Sequence, residues 1–190
     1  LYAACQKKLY SGGYKIYTTI DMDKQKKLQS TVDDTLAGFT EKNDDGTYNM
    51  QGAAVTIDNN TGYVVAIVGG RDQDFNSYTL NRAFQSHRQP GSSIKPLIVY
   101  TPAFERGYDP NTIVDDHKFE GGPSNATNTY AGKIPLRYAV AKSLNTVAWQ
   151  VYEQVTPKVG LQYLKNMNFS SIVKDDYTLA TSLGGFTKGV

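Results

Sequence analysis

The stretch that decides the fold is QPGSSIKPLIVYTPAFER, residues 89–106. A turn-forming Pro-Gly pair comes directly before Ser92, and apolar side chains then recur at helical spacing. Pro96 falls in the first turn of the predicted helix, where its missing N–H costs little. The stretch therefore predicts a helix that begins at Ser92 and runs to about Arg106. Its apolar positions are Ile94, Leu97, Ile98 and Phe104.

Ser92 and Lys95 form a Ser-x-x-Lys pattern at the start of this helix. Residues three apart share a helix face, so the spacing predicts that the Lys95 amine can reach the Ser92 hydroxyl. A serine hydroxyl is a poor nucleophile until a base removes its proton, and lysine can be that base when burial lowers its pKa. Free N–H groups in the first helical turn would favour negative charge on a bound acyl oxygen.

The same pattern occurs a second time, from Ser171 to Lys174. A pattern this short is expected about once by chance in a chain of this length. The second copy has no preceding turn, and the acidic pair Asp175-Asp176 would keep the lysine charged and solvated. We therefore expect the nucleophile to be Ser92.

A second candidate element is Ser143-Leu144-Asn145, the single Ser-x-Asn of the sequence, between helices predicted over 135–142 and 146–155. Its hydroxyl could relay a proton between Lys95 and a leaving amine, and its amide could bond both Lys95 and a substrate backbone. The alternative interpretation is a helix end followed by a turn, where Ser and Asn are common.

Composition narrows the function classes. The 190 residues carry a net charge of +2, which gives no electrostatic reason to expect a nucleic acid partner. Cys5 is the single cysteine, and His87 and His117 are too far apart for a compact metal motif. We therefore expect no metal and no cofactor. No apolar run is long enough to span a bilayer, so any membrane anchor is expected outside this chain.

The rest of the chain predicts an α+β fold, an antiparallel sheet packed with helices. A hairpin is the strongest signal, because an Asn- and Gly-containing turn joins two apolar runs. Tyr130 and the 125–128 stretch could line a cleft, although a surface loop is the preferred interpretation. The predicted elements are a strand at 14–20, a helix from Asp21 or Asp23 to about Phe39, hairpin strands at 53–57 and 63–68, an irregular loop at 107–133 and a helix from Pro157 to about Met167.

Five segments resemble, in chain order, the transpeptidase domain of class A penicillin-binding proteins. By this resemblance the fold is that of penicillin-binding proteins and serine β-lactamases, and it is incomplete in this chain. The resemblance also implies that Ser92 is acylated, that Lys95 is the general base, and that Ser143 and Asn145 form the family's second motif. The segments are GGYKIYTTID (12–21), AAVTIDNNTGYVVAIVGGRD (53–72), NRAFQSHRQPGSSIKP (81–96), IPLRYAVAKSLNTVAW (134–149) and LGGFTKGV (183–190).

The resemblance implies a reaction and its partners. The serine would attack the penultimate D-alanine carbonyl of a peptidoglycan stem peptide ending in D-Ala-D-Ala, and an amine from a neighbouring strand would then take the acyl group. β-Lactam antibiotics would acylate the same serine. The expected location is the extracytoplasmic face of a bacterial cell membrane.

One family motif is missing. The third motif, Lys-Thr-Gly or Lys-Ser-Gly, does not occur, and Thr187-Lys188-Gly189 has a different order. We therefore expect residues 1–13 to be a linker from an upstream domain and residues 14–190 to be the N-terminal portion of the transpeptidase domain. The remaining C-terminal part, in a second chain or cut away, is an expected partner, and this portion alone is expected to be inactive.

Two alternative functions remain open at this point. A serine β-lactamase shares the serine and the lysine but needs a base for deacylation, and none of the four glutamates has the Glu-x-x-x-Asn context of class A enzymes. A non-catalytic sensor of cell-wall peptide or β-lactam could use the same fold, although the retained Ser92 and Lys95 argue against a dead site.

Overall fold

The computed structural model describes residues 2–72 and 79–190. The chain forms two compact units, Leu1–Ser86 and His87–Val190. Within the described residues, every helix is too short or too polar to cross a lipid bilayer.

The first unit contains a two-stranded antiparallel hairpin, in which Ala54 pairs with Val68 and Val55 with Ile67. This confirms the hairpin predicted from its turn. Asp58 N–H donates to Tyr63 O (2.9 Å) across that turn. The elements of the unit are α1 (Tyr2–Ser11), α2 (Met22–Leu36), β1 (Ala54–Ile57), β2 (Val64–Val68) and α3 (Arg82–Gln85).

Helix α2 begins where the sequence predicted and ends three residues earlier. The Asp21 carboxylate accepts hydrogen bonds from the N–H groups of Asp23 (3.0 Å) and Lys24 (3.2 Å), so it is the N-cap. The Gln25 amide pairs with the backbone of Ile67 in β2, donating to its oxygen at 2.9 Å and accepting from its nitrogen at 2.8 Å. This pair fixes α2 against the hairpin.

The predicted strand at 14–20 is wrong. These residues form no strand. Near the end of the segment Thr19 Oγ1 donates to Val64 O at 2.5 Å, and Asp21, the residue after the segment, donates its N–H to Val65 O. Ile16 and Tyr17 are exposed, because no sheet face covers them. Strand propensity depends on such a face, so an alternating pattern alone is not sufficient. The preceding residues predicted as a linker form the exposed helix α1.

The second unit is mostly helical. Its first element is one helical run over residues 91–104, here called the Ser92 helix, and this confirms the helix predicted there. The run consists of a 3-10 turn (Gly91–Ile94), a π turn (Pro96–Tyr100) and α4 (Thr101–Phe104). The other elements are β3 (Ile113–Asp116), β4 (Gly132–Pro135), α5 (Leu136–Ala141), α6 (Asn145–Val155), α7 (Pro157–Asn166) and 3-10 turns at Lys174–Asp176 and Leu179–Leu183.

The predicted irregular loop at 107–133 contains strand structure. Strands β3 and β4 pair antiparallel, with Ile113 opposite Pro135 and Asp116 opposite Gly132. The prediction relied on the Gly, Asn, Asp and Pro content of this region. Each strand has only four residues, and half of them are not apolar, so neither strand shows a periodic signal. Residues 117–131 connect the two strands.

The core of the second unit surrounds the Ser92 helix, with α6 and α7 packed against its apolar side. Gly160 of α7 lies where α7 meets that helix, and a Cβ placed there would lie 2.6 Å from Ile98 O and 2.4 Å from the Tyr152 ring. The close approach of two backbones therefore requires glycine at 160. Fully buried members of this core include Ile98, Val99, Leu136, Ala148, Tyr152, Leu161 and Leu164.

We expect Gly160→Ala to destabilise the second unit by about 2 kcal/mol, although alanine is the better helix former, because the added methyl group overpacks the interface. Urea denaturation followed by the fluorescence of Trp149, the single tryptophan, measures this. Gly185→Ala is the control, because its Cβ would lie 3.4 Å from the nearest atom. Equal unfolding midpoints for the two variants would contradict the packing explanation.

Candidate active site

The Ser92 helix changes its winding because of its prolines. Pro102 has no N–H, and a proline ring in a helix collides with the carbonyl four residues earlier. The turn before it widens accordingly: Thr101 N–H donates to the oxygen of Pro96, five residues back, in a π turn. The first turn, after Pro90, is the tighter 3-10 form.

Ser92 lies in the tight turn, and Lys95 follows that turn as its C-cap residue, with its backbone N–H donating to Ser92 O. Side chains three residues apart are eclipsed in a 3-10 helix, so both project from the same side. Ser92 is exposed, whereas Lys95 has 2% of its surface exposed. In the part of the chain that the structure describes, no hydrogen bond joins Lys95 Nζ to the Ser92 hydroxyl. The predicted contact between these two groups therefore stays a prediction.

The Lys95 amine is enclosed by the second candidate element. Nζ lies 2.7 Å from Ser143 O, 3.1 Å from Ser143 Oγ and 2.7 Å from Asn145 Oδ1. These three oxygens match the three protons of an ammonium group. The structure thus brings three of the four predicted site residues together across about fifty positions of sequence.

Burial lowers the pKa of the Lys95 amine from 10.5 to about 8. Removing an ammonium group from water disfavours its charged form, and no neighbouring charge contributes. About a tenth of the amine is then uncharged at pH 7, compared with a negligible fraction for a solvated lysine. The group can accept a proton under physiological conditions.

Ser143 lies in a Schellman motif that ends helix α5. Ser143 N–H donates to Val140 O at 3.0 Å, and Leu144 N–H donates to Ala139 O at 3.0 Å. In this motif the residue after the C-cap adopts a left-handed conformation and is usually glycine. Here that residue is Ser143, with φ 52°. The helix-end interpretation is therefore correct as structure, and the same turn directs both oxygens of Ser143 at Lys95.

The amide of Asn145 has a defined orientation, because its nitrogen donates to Ser124 O at 2.9 Å while its oxygen accepts from Lys95. Only this orientation satisfies both contacts, since a backbone carbonyl needs a donor and an ammonium group needs an acceptor. Asn145 is the first residue of α6, and its own N–H donates to Asn125 Oδ1 at 2.8 Å.

The C-terminal segment packs against the turn that carries Ser92. Gln89 and Phe186 exchange two hydrogen bonds between the glutamine amide and the phenylalanine backbone, and Arg88 and Val190 exchange two backbone bonds. A Cβ on Gly184 would lie 2.2 Å from Gly91 O. Any side chain at position 184 would therefore displace the residue directly before Ser92.

A cavity of about 300 Å³ lies beside Ser143. Tyr130 is part of its wall, in agreement with the suggestion that it lines a cleft, and its hydroxyl is buried without a hydrogen-bond partner among the described residues. The cavity provides room next to the proposed relay hydroxyl. Its other walls include Tyr138, Lys142, Leu144 and the 125–131 stretch.

The second Ser-x-x-Lys copy forms no comparable site. Lys174 is exposed, and the buried carboxylate of Asp176 accepts from the backbone N–H groups of Val173 and Thr187 instead of contacting that lysine. Two buried polar residues beside the site, Asp116 and Asn125, were not predicted from the sequence. Asn125 was interpreted as part of a surface loop. Only an asparagine that stays unchanged at this position among related sequences could have indicated its role.

Comparison with known proteins identifies the family of this chain. Residues 52–188 match the model of the penicillin binding protein transpeptidase domain. Penicillin-binding protein 4 of Bacillus subtilis (strain 168) is 33% identical over 96% of this chain and 28% of its own length. Penicillin-binding protein 1A/1B of the same strain is 35% identical over 92% of this chain and 18% of its own length. The chain thus spans less than a third of these relatives.

Among solved structures, PonA1 of Mycobacterium tuberculosis in complex with penicillin V superposes with a TM-score of 0.76 at 24% identity, over 95% of this chain and 49% of that one. That match shows the α+β fold expected from the sequence. The family model and the relatives confirm the resemblance seen in the five segments. The chain belongs to the family of penicillin-binding protein transpeptidase domains.

Proposed function

We propose that this chain carries the nucleophile of a serine D,D-transpeptidase, with Ser92 as the acylated residue and Lys95 as its base. The observation that supports this most strongly is the buried Lys95 amine, enclosed by Ser143 and Asn145, on the same helical turn as an exposed serine. Its lowered pKa suits a group that must accept a proton near neutral pH.

In the first step the uncharged Lys95 amine takes the proton of the Ser92 hydroxyl. The Ser92 oxygen then forms a bond to the carbonyl carbon of the penultimate D-alanine, whose carbonyl oxygen becomes an oxyanion. Lys95 becomes an ammonium group, and Ser143 O, Ser143 Oγ and Asn145 Oδ1 accept hydrogen bonds from it. The three acceptors thus stabilise the charge that the step creates.

In the second step the leaving D-alanine needs a proton on its nitrogen. Of the three Lys95 partners, only the Ser143 hydroxyl can both accept and donate, so it can pass the lysine proton to that nitrogen. The C–N bond breaks, and an acyl group stays on Ser92. An acceptor amine then attacks the ester, Lys95 and Ser143 remove its proton by the reverse path, and Ser92 regains its hydrogen.

The proposal includes the partners and the location expected from the sequence. The acyl donor is a peptidoglycan stem peptide ending in D-Ala-D-Ala. β-Lactams would acylate the same serine, as suggested by the penicillin V complex of PonA1. The reaction would take place on the extracytoplasmic face of a bacterial membrane, with the third motif supplied by the remaining C-terminal part of the domain.

No feature of the described site favours a β-lactamase. Lys95 Nζ contacts Ser143 and Asn145, and Glu105 accepts from the Tyr163 hydroxyl at an exposed position. Among the described residues no glutamate forms a hydrogen bond with Lys95 or Ser143, so the acyl-enzyme should persist for minutes or longer. Rapid release of the acyl group, measured by the decay of labelled protein after free penicillin is removed, would favour the lactamase interpretation instead.

The nucleophile is tested with two adjacent serines in the protein at its full natural length. After incubation with penicillin, mass spectrometry should map one adduct to Ser92. Ser92→Ala should abolish this labelling, whereas Ser93→Ala should retain it, because the Ser93 hydroxyl donates to Pro90 O at 2.7 Å and is not directed to a substrate. An adduct that survives in Ser92→Ala would show that the nucleophile lies elsewhere.

The base is tested by the pH dependence of acylation. Only the uncharged amine accepts a proton, so the rate should rise with pH through about 8, the pKa of Lys95, and level off above it. At two pH units below that value the rate should be about a hundredfold lower than the plateau. Lys95→Arg, which stays charged, should lose about 10²–10⁴-fold. A rate that is flat from pH 6 to 9 would contradict the assignment.

We expect Ser143→Gly to raise stability but to lower activity. Ser143→Gly relieves the left-handed conformation, so stability should rise by about 1 kcal/mol, while loss of the hydroxyl relay should slow acylation by about 10²-fold. Asn168→Gly is the matched control, because Asn168 occupies the same position, φ 65°, in the motif that ends α7. Denaturation midpoints and acylation rates measure both effects, and unchanged acylation in Ser143→Gly would contradict the relay.

A further inference from the structure

Three polar residues from separate elements form a buried network behind the site. The carboxylate of Asp116, at the end of β3, accepts from the Thr146 hydroxyl of α6, from Asn125 Nδ2 at 2.7 Å and from Ala131 N at 2.8 Å. Asp116 and Asn125 are 1% and 4% exposed. Burial acts to raise the pKa of this carboxyl, but the hydrogen bonds from its three donors together outweigh burial and lower the pKa, so the group stays ionised.

Asn125 caps a helix that is distant in sequence. No side chain of the preceding residues caps α6, and the Asn125 oxygen accepts instead from the first two N–H groups of that helix, Asn145 N at 2.8 Å and Thr146 N at 3.3 Å. Its nitrogen donates to Asp116 and to Thr129 O at 3.0 Å. All hydrogen-bonding groups of the Asn125 side chain are therefore used.

The same loop also orients the Asn145 side chain. Ser124 O accepts from Asn145 Nδ2, so the backbone next to Asn125 holds the nitrogen end of the amide while Lys95 meets its oxygen end. The position of the 124–125 backbone thus determines where Asn145 Oδ1 lies. This chain of contacts, from Asp116 through Asn125 to Asn145, ends at the Lys95 amine.

We infer that Asn125, anchored by Asp116, is a positioning residue that holds Asn145 and Ser143 closed around the amine of Lys95. The inference rests on the proposed function in one respect, because it takes this amine to be the base of the reaction. It adds two residues that touch neither Ser92 nor Lys95 and act through the N-terminus of α6.

The charges around Lys95 determine in which direction its pKa should change when the enclosure opens. In the part of the chain that the structure describes, no carboxylate forms an ion pair with Lys95, and the 3-10 turn packed against its own turn, Leu179–Leu183, has no titratable side chain. The first two residues of α6, Asn145 and Thr146, are uncharged. The carboxylate of Asp116 is bonded to Asn125 and not to Lys95. Because burial alone lowers the pKa of Lys95, opening this enclosure to water should raise that pKa.

The test measures the pH dependence of Ser92 acylation by a fluorescent penicillin in the full-length protein. In Asn125→Ala the midpoint should move up by about one pH unit. The rate at pH 7 should then fall about tenfold, with recovery at high pH and full labelling at saturation. Asp116→Asn keeps the shape of the side chain and should shift the midpoint in the same direction, which keeps the test decisive if Asn125→Ala does not fold.

Asp115→Asn is the matched control, because its carboxylate is about half exposed on the opposite face of β3 and pairs with His117 at 3.5 Å. It should leave the midpoint unchanged. A purely structural role for Asn125 would lower the unfolding temperature and the amount of active protein without moving the midpoint. That result in both Asn125→Ala and Asp116→Asn would overturn the inference.

A second measurement separates this inference from the proposed function. The ¹³Cε resonance of Lys95, identified by its loss in Lys95→Arg, reports the charge of the amine without any acylation and can be followed in the Ser92→Ala background. A rise of its titration midpoint in Asn125→Ala supports the positioning role, and an unchanged midpoint refutes it. Absence of Ser92 labelling in the natural protein would refute the proposed function alone.

Discussion

The enclosure of one lysine amine is the interaction on which the site depends. Lys95 Nζ is withdrawn from water and is held by three oxygens from Ser143 and Asn145. Burial without partners would be costly for a charged group, and partners without burial would leave the pKa of an ordinary lysine. The combination gives an amine that can be charged or uncharged near neutral pH while it stays hydrogen-bonded to these oxygens.

The surrounding fold keeps this amine where it is. The prolines of the Ser92 helix set its tight first turn and its wide second turn, while Gly160 lets α7 approach its backbone closely. A strained turn at Ser143 and a remote cap from Asn125 bring the end of α5 and the start of α6 to the lysine. Each of these features has an unfavourable local free energy, from backbone strain or desolvation. The packed core of the second unit offsets it.

Local patterns predicted much of this arrangement. The hairpin and the helices of the second unit follow from turn chemistry and apolar spacing, and the structure confirms them. The N-cap of α2 was expected at Asp21 or Asp23, and the structure shows that it is Asp21. The pairing of Ser143 and Asn145 with Lys95 was expected from the family resemblance, since spacing alone favoured a simple helix end. The strand predicted at 14–20 failed because its alternation has no sheet face to bury against.

Sequence patterns did not predict the polar contacts between residues distant in sequence. Asp116 and Asn125 belong to a region rich in Gly, Asn, Asp and Pro, which is typical of surface loops. Nothing in their spacing relates them to Asn145, which lies twenty residues beyond Asn125. Their burial results from the β3–β4 hairpin, whose short and half-polar strands gave no signal. The positive φ of Ser143 likewise depends on the turn between two packed helices.

The most direct test of the central claim replaces the base by a close analogue. In a Cys5→Ser background, Lys95→Cys can be alkylated to an aminoethyl cysteine, whose sulfur lowers the pKa of the amine while its length stays close to that of lysine. If Lys95 is the base, the pH midpoint of Ser92 acylation should fall along with the pKa of the analogue. Acylation that keeps its original midpoint with the analogue in place would show that another group removes the serine proton.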